Sequence, residues 1–396
     1  MCARASHTPT PLSATEVSLA TVAREWAWLG ITGFGGPPAH IQLLRTLCVE
    51  RHGWIEATEF EDAIAACNLL PGPASTQLAI YCARRVHGWR GALVGGLGFI
   101  VPGLVIILAL AAVLLGAGPS RWVLGAAAAA GAVVPVIAIR AGIALIPPSL
   151  ARARSAAAVT GWSGALVVGG LASAFAGSWV ILAVLGAGAL ALAHRWWRAR
   201  PHREIGGVAL LGLGSLTVST GGALALGWTA LKVGALSYGG GFVIVPLMQS
   251  DAIRHHWLTE TQFLGAVALG QITPGPVVQT VAVVGYGAAG IVGGITASAI
   301  AFAPSFVFVL VGGRHFARVR NNPGARAFLS GAGPASIGAI LGAAWPLTLA
   351  FGVWWQLVVL GGAAVAVIAR QSPITVIVGA AALGVGLAAI GAPLPH

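Results

Sequence analysis

Two Pro-Gly-Pro tripeptides interrupt long apolar runs of this chain and constrain its fold more than any other feature. The first is Pro71-Gly72-Pro73, and the second follows as Pro274-Gly275-Pro276. Proline lacks a backbone donor and cannot continue a helix, so each tripeptide breaks the helix that its apolar flanks predict. A break at membrane depth needs protein or a wet cavity to satisfy its free backbone groups, and transporters place substrate sites at such breaks.

The composition indicates a membrane protein. Of the 396 residues, 57% are hydrophobic and 8% are charged, against roughly 25% charged residues in a soluble domain. The net charge of +12 rests on only 22 Lys and Arg residues. Most of them lie between apolar runs, so membrane topology explains this charge better than nucleic-acid binding does. The four cysteines show no metal-ligand spacing.

Apolar runs of suitable length predict an all-α polytopic membrane protein with about 12–13 membrane segments. Four runs follow the first Pro-Gly-Pro and four follow the second, near 91–117, 122–146, 157–174 and 178–194, and near 290–311, 327–349, 353–369 and 373–391. Two interrupted segments precede each set. They are expected either to cross the membrane as broken helices or to fold as re-entrant hairpins.

The second half of the sequence repeats the first. The segment 236–241 corresponds to 32–37, and Trp257 and Phe263 follow Trp54 and Phe60 at the spacing of the two Pro-Gly-Pro tripeptides. We interpret this pattern as an internal duplication. It predicts a polar N-terminal tail (1–18) without the apolar core of a signal peptide, a first repeat (19–194), a basic linker with an inverting span (195–227) and a second repeat (228–396).

The arginines predict that the two repeats have opposite orientations. The turn after the first Pro-Gly-Pro holds Arg84, Arg85 and Arg90, whereas the corresponding turn, 286–290, holds no charge. The next turn of the second repeat holds Arg314, Arg318, Arg320 and Arg326. Since cytoplasmic loops carry the excess of Lys and Arg, we expect inverted repeats in the cytoplasmic (inner) membrane, related by a pseudo-two-fold axis in the membrane plane.

These motifs resemble the two-domain chromate ion transporter family. The resemblance covers nearly the whole chain and is carried by Phe34-Gly35-Gly36-Pro37 with His40, Pro71-Gly72-Pro73 with Thr76, Lys232-Val233-Gly234 before Tyr238-Gly239-Gly240-Gly241, and Pro274-Gly275-Pro276. It implies transport of chromate, a tetrahedral dianion resembling sulfate, most often outward as a resistance mechanism. Tyr238 and Gly241 stand where the first repeat has Phe34 and Pro37, so the halves are not equivalent.

A tetrahedral dianion in a low-dielectric region needs hydrogen-bond donors, which half-helix N-termini supply. The breaks therefore predict the substrate-binding residues Gly35, Gly36, His40, Pro71, Gly72, Pro73, Ser75, Thr76, Gln77, Lys232, Tyr238, Gly239, Gly240, Pro274, Gly275, Pro276, Gln279 and Thr280. Glycines at these breaks let the backbone approach a ligand closely. The alternative is that they only permit tight helix crossing.

Three ionisable side chains have two interpretations each. Lys232 is the only charge in a long apolar run, which indicates either a cation of the anion pathway or a lysine that snorkels to the interface. His40 is either an anion donor or titratable group, or a packed histidine. Glu25 is expected to pair with Arg24 at the membrane surface, with proton coupling as the alternative.

The sequence favours a transporter over an enzyme. It has no phosphate-binding loop and no cluster of His, Asp, Glu or Cys within the spans, so we expect neither a cofactor nor a metal. A dianion leaving a negative-inside cell gains about 2.3 kcal/mol per charge per 100 mV. This favours efflux driven by the membrane potential or by anion exchange. A sulfate or other oxyanion permease or channel is the alternative, and a structural membrane protein would not need four paired breaks. The expected partners are the oxyanion and the lipid bilayer, and a homodimer stays open.

Overall fold

The computed structural model describes residues 17–68, 70, 72–116, 118–153, 155–198, 222–237, 244–312 and 322–395. Four predicted site residues, Pro71, Tyr238, Gly239 and Gly240, lie outside this part, as does most of the predicted inverting span at 206–226. The described residues form helices and no strand, and several helices are long enough to span a bilayer. The protein is therefore an all-α polytopic membrane protein, as the sequence predicts.

In the described residues, the first half contains seven α-helices and the second half contains eight. The first seven are α1 (Leu19–Thr32), α2 (Pro37–Arg45), α3 (Ala57–Cys67), α4 (Ala74–Leu115), α5 (Arg121–Leu150), α6 (Ala156–Phe175) and α7 (Val180–Arg198). The others are α8 (Ala223–Leu236), α9 (Ile244–Arg254), α10 (Glu260–Ile272), α11 (Thr280–Gly312), α12 (Pro323–Gly342), α13 (Ala344–Leu349), α14 (Trp355–Ile368) and α15 (Pro373–Ala389). A π-helical turn, Thr46–Arg51, extends α2.

Six described stretches are long and apolar enough to cross a membrane: α4, α5, α6, α7, α11 with the turn before it, and α12 with α13. Helices α8, α14 and α15 are apolar but shorter. Six of the eight predicted apolar runs match helices whose ends differ by a few residues. The runs near 91–117 and 290–311 cover only the later parts of α4 and α11, which begin at Ala74 and Thr280. Helix α8 begins at Ala223, before the predicted start of the second repeat at 228.

Helices α4 and α11 each contain a sharp reversal of the chain. The backbone is non-helical at His87 (φ −143°, ψ 35°) and Gly88 (φ 63°, ψ −155°), and nearly the same angles recur at Ala289 and Gly290. A methyl group on Gly95 would overlap Cβ of Ala83, although residues twelve apart in a straight helix lie about 18 Å apart. Each helix therefore consists of a short arm, 74–86 or 280–288, that turns back along a long arm.

The described residues of both Pro-Gly-Pro breaks, Gly72 and Pro73 in the first and Pro274 to Pro276 in the second, lie at the tips of helical hairpins. Tyr81 Oη on the short arm of α4 donates to Glu59 Oε1 at 3.0 Å, and Arg85 bonds the same carboxylate of α3. In the second half, a side chain on Gly270 of α10 would overlap Thr280 at the start of α11. Helices α3 and α10 thus run antiparallel to the short arms that follow them. Whether these hairpins re-enter the membrane from one face stays a prediction.

The segments before these hairpins also fold back on themselves. Arg51 after α2 bonds Glu25 of α1, and the rings of Trp26 and Trp54 stack 6.2 Å apart. In the second half, Lys232 of α8 bonds Asp251 of α9. In each half, an ion pair therefore joins the two helices that flank the glycine-rich break, α1 and α2 in the first half and α8 and α9 in the second.

The two halves pack through their corresponding helices. A methyl group on Gly96 would lie 2.5 Å from the ring of Phe306, and one on Gly294 would overlap Leu108, so the long arms of α4 and α11 are antiparallel. Helix α5 packs against α14 and α15, and α12 packs against α6 and α7. The predicted inverted repeat requires the antiparallel contact of α4 with α11, and it requires that α5 and α12 each pack against the last helices of the opposite half. The repeat itself stays a prediction.

Candidate functional site

The glycine-rich break of the first half meets the Pro-Gly-Pro tip of the second. The amide nitrogen of Gly275 donates to the carbonyl oxygen of Gly33 at 2.9 Å. A methyl group on Gly36 would lie 3.8 Å from Val277 Cγ2. Gly36 (φ 73°) and Gly275 (φ 94°) adopt conformations that favour glycine. The two breaks thus satisfy part of each other's free backbone, as they must in a region without water.

The reciprocal contact joins the Pro-Gly-Pro tip of the first half to the end of α8. A Cβ atom on Gly72 (φ 112°) would lie 3.2 Å from the carbonyl oxygen of Gly234 and 3.4 Å from Ser305 Oγ. Ser237, directly before the predicted break at 238–241, caps the end of α8. Each tip therefore lies against the segment that leads into the glycine-rich break of the opposite half.

His40 ties α2 to the first break and to the start of α4. Its Nε2 lies 2.9 Å from the carbonyl oxygen of Gly33, and its Nδ1 lies 3.3 Å from Ser75 Oγ. Because a carbonyl only accepts, Nε2 carries the hydrogen, and Nδ1 of the neutral ring accepts from Ser75. The ring also meets the edge of Phe99 at 5.1 Å. This geometry fits the packed histidine, since an anion could bond His40 only after one of these contacts breaks.

Most of the polar side chains around the breaks are buried, and several lack partners. Ser75, Thr76, Gln77, Gln279 and Thr280 are at most 2% exposed. Among the described residues, no hydrogen-bond partner is found for Thr76 Oγ1, Ser237 Oγ, Gln271 Nε2, Gln279 Oε1 and Ser305 Oγ. An unpaired buried polar group costs about 1–3 kcal/mol and requires an explanation. Their concentration at the breaks indicates a site for a polar ligand.

Ser237, Gln271 and Ser305 were not among the predicted site residues. Ser305 directly follows Pro304 in an apolar run, Ser237 directly precedes the break at 238–241, and Gln271 lies three residues before Pro274. Proline removes a backbone donor and distorts the helix around it. A polar residue beside a proline or a break is therefore the sequence signal that could have identified them.

Lys232 is held inside the protein by a carboxylate that the sequence analysis did not connect to it. Asp251 accepts from Lys232 Nζ, from Thr229 Oγ1 at 2.8 Å and from Arg254 Nη2 at 2.5 Å. The side chains of Lys232 and Asp251 are 7% and 2% exposed. The ammonium group also lies 5.9 Å from the centre of the Trp228 ring. The snorkelling alternative does not fit this geometry, and a role in the anion pathway stays a prediction.

Several other charged residues form ion pairs away from the breaks. Glu25 lies between Arg24 at 3.2 Å and Arg51 at 3.5 Å. Arg45 pairs with Glu50 and Glu61. Over the described ranges, no group of three or more His, Cys, Asp or Glu side chains is placed to hold a metal ion. The described polar groups at the breaks are thus hydroxyls, amides, backbone atoms and the imidazole of His40.

The chain is similar to known transport proteins over most of its length. A family model described as "Chromate transporter" matches residues 20–193 and 224–385. A chromate transport protein of Cupriavidus metallidurans is 33% identical over 326 residues, which cover 80% of this chain and 79% of that protein. A probable chromate transport protein of Synechococcus elongatus is 30% identical over 337 residues, covering 82% and 84% of the two chains. No solved structure matches the chain.

Proposed function

The chain belongs to the chromate transporter family, and on that premise we propose that it is a secondary transporter that exports chromate across the cytoplasmic (inner) membrane. Export would lower the internal chromate concentration and give resistance. The relatives named as chromate transport proteins support the substrate. The predicted excess of arginines in cytoplasmic loops supports insertion into the cytoplasmic membrane and the orientation of the chain in it.

The observation that carries this proposal is the set of buried donors at the breaks that have no partner among the described residues. Thr76, Ser237 and Ser305 bring hydroxyl groups, and Gln271 brings an amide nitrogen. The N-terminus of α4 adds the positive end of a helix dipole. Such donors can replace part of the hydration shell of a tetrahedral dianion without adding a competing negative charge.

Burial of the site supports a carrier. Thr76, Gln279 and Ser305 have no exposed surface, so a hydrated anion reaches them only after the surrounding hairpins move. If the halves are inverted repeats, the hairpins of the first half enter from one membrane face and those of the second half enter from the other. Alternating access then follows from opening one set of hairpins while the other stays closed.

The membrane potential is sufficient to drive export. Two charges moving out of a negative-inside cell gain roughly 4–5 kcal/mol per 100 mV, which corresponds to a concentration ratio above a thousandfold. Uptake of the same dianion would need a coupling ion. In the described part of the site, the buried carboxylate Asp251 is already bonded to Lys232 and Arg254. Export by potential or by anion exchange is therefore the mechanism we propose.

Reconstitution into liposomes tests this function. We expect saturable flux of radiolabelled chromate that rises with an imposed potential in the direction that drives the anion toward the positive side. Sulfate and molybdate, added as competitors, report how far the site distinguishes tetrahedral dianions. If chromate flux equals that of empty liposomes at every potential and chromate does not compete with sulfate, the assignment of chromate is wrong.

A further inference from the structure

The two Pro-Gly-Pro tips are surrounded by different kinds of atoms. A methyl group on Gly72 would lie 2.7 Å from Gln77 Nε2, 3.4 Å from Ser305 Oγ and 3.2 Å from the carbonyl oxygen of Gly234. Two of these three groups can donate a hydrogen bond, and of these two the hydroxyl of Ser305 has no partner in the part of the chain that the structure describes. The position at Gly72 therefore offers the Ser305 donor to a ligand.

At the second tip, the three described atoms nearest to the same position are all acceptors. A methyl group on Gly275 would lie 3.6 Å from Gln279 Oε1, 3.6 Å from the carbonyl oxygen of Phe99 and 3.8 Å from that of Gly30. The orientation of the Gln279 amide is set by its Nε2, which donates to the carbonyl oxygen of Ile100. Oxygen acceptors present partial negative charge, which repels an anion.

The difference in donors between the two tips follows largely from one pair of corresponding residues, Ser305 and Gly103. Ser305 follows Pro304 of α11, and Gly103 follows Pro102 at the corresponding place in α4. Ser305 is fully buried, and its hydroxyl bonds no described residue. A side chain on Gly103 would overlap the carbonyl oxygen of Pro274 and lie 2.5 Å from Gln279 Oε1. The second position therefore has no room for a hydroxyl donor.

We propose that the transported oxyanion binds at the Gly72 tip and not at the Gly275 tip, and that the Ser305 hydroxyl donates a hydrogen bond to it. This inference rests on the proposed function and adds a substrate-binding residue to it. Thr76, whose hydroxyl also has no partner among the described residues, lies four residues after Gly72 in the first turn of α4. The Gly275 tip, by contrast, serves to close the first break through its bond to Gly33.

The test compares Ser305→Ala with Ser336→Ala in reconstituted protein. Ser336 is a matched control because it is also buried in a membrane helix but already donates to the carbonyl oxygen of Ala332 at 2.9 Å. We expect Ser305→Ala to raise the apparent KM for chromate about tenfold to a hundredfold, the range for losing a hydrogen bond to a charged group. Ser305→Thr, which keeps the hydroxyl, should restore most of the affinity, and Ser336→Ala should leave KM unchanged.

Each outcome decides a separate point. If wild-type protein moves chromate and the KM of Ser305→Ala stays within about twofold of wild type, the inference is wrong while the proposed function stands. If wild-type protein moves none of the three anions chromate, sulfate and molybdate, both the inference and the proposed function are wrong. If Ser305→Ala does not insert, Ser305→Gly, which copies the residue type at position 103, replaces it in the same comparison, and an unchanged KM there also overturns the inference.

Discussion

The ammonium group of Lys232 is bonded to the carboxylate of Asp251, which lies 19 residues further along the chain. Lys232 is the only lysine in a sequence that otherwise uses arginine. Both side chains are almost fully buried, and the pair joins α8 to α9 beside the predicted break at 238–241. A buried ion pair is costly to break, because the remaining partner keeps an uncompensated charge.

Removing one member of this pair should destabilise the protein. Lys232→Met leaves Asp251 with Arg254 as its charged partner, so we expect a loss of about 3 kcal/mol, at the low end of the range for a broken buried pair. The double variant Lys232→Met, Asp251→Asn should recover most of that loss. Thermal unfolding in detergent and membrane abundance measure both effects.

The same variants test whether Lys232 acts on the anion. If its charge lowers the barrier for a dianion, the double variant inserts normally but shows a weaker apparent affinity for chromate, whereas Lys232→Arg keeps much of the activity. Chromate flux of the double variant equal to wild type, at matched abundance, would mean that the pair only holds α8 to α9.

Substitution of Gly72 should impair transport more than it reduces abundance. Gly72→Ala places a methyl group 2.7 Å from Gln77 Nε2, within the proposed anion position, and Gly72→Leu fills that position. Gly118→Ala is the matched control, because Gly118 also has a positive φ (76°) and its Cβ would meet no described atom within 4 Å. Both alanine variants carry a backbone strain of about 1–2 kcal/mol.

We expect chromate flux per inserted molecule to fall more than tenfold for Gly72→Ala and to stay near wild type for Gly118→Ala. Gly275→Leu should also impair transport, because its side chain would separate the two breaks that Gly275 and Gly33 join. Loss of flux in proportion to loss of protein would instead favour the view that these glycines serve only helix packing.

Thiol labelling should place the two helix reversals on opposite sides of the membrane. Trp89 and Ile291 directly follow the reversals of α4 and α11 and are 61% and 58% exposed. We expect Trp89→Cys and Ile291→Cys, each made in a background without the native cysteines, to react with an impermeant maleimide from opposite faces. Labelling of both from the same face of sealed vesicles would contradict the inverted repeat.

Substitution of His40 should affect folding before it affects the substrate. His40→Ala removes the bonds to Gly33 and Ser75, so we expect a loss of about 1–3 kcal/mol in stability. His40→Gln keeps an amide donor and should lose less. The apparent KM for chromate of the protein that remains folded should stay near wild type. A KM raised tenfold at unchanged thermal stability would show that His40 binds the anion directly.

The membrane helices could be predicted because length and hydropathy determine them. The apolar run near 122–146 corresponds to α5, and the run near 373–391 corresponds to α15. The direction of the chain after a break could not be predicted in this way. Whether α4 continues α3 or turns back along it depends on contacts such as Glu59 with Tyr81 and Arg85, which join residues more than 20 positions apart.

The partners of the site residues were the least predictable part. Lys232 was identified as an isolated cation, and its partner Asp251 lies beyond the intervening break. The predicted second repeat, 228–396, contains only two acidic residues, Asp251 and Glu260, and this scarcity was the available signal. Ser305 could not be predicted as a site residue, because a serine in a membrane helix ordinarily bonds a carbonyl of the preceding turn. Only the structure shows that its hydroxyl does not.

The packing of α5 against α14 and α15 determines how the protein can be made. Helix α5 leaves the ribosome long before α15, and at ~5–20 residues per second the interval is on the order of tens of seconds. During that time the small-residue face of α5 around Gly125, which α15 later covers, faces lipid or a membrane chaperone. The first half of the nascent chain thus holds an uncovered helix face in the membrane until α15 has been synthesised and inserted.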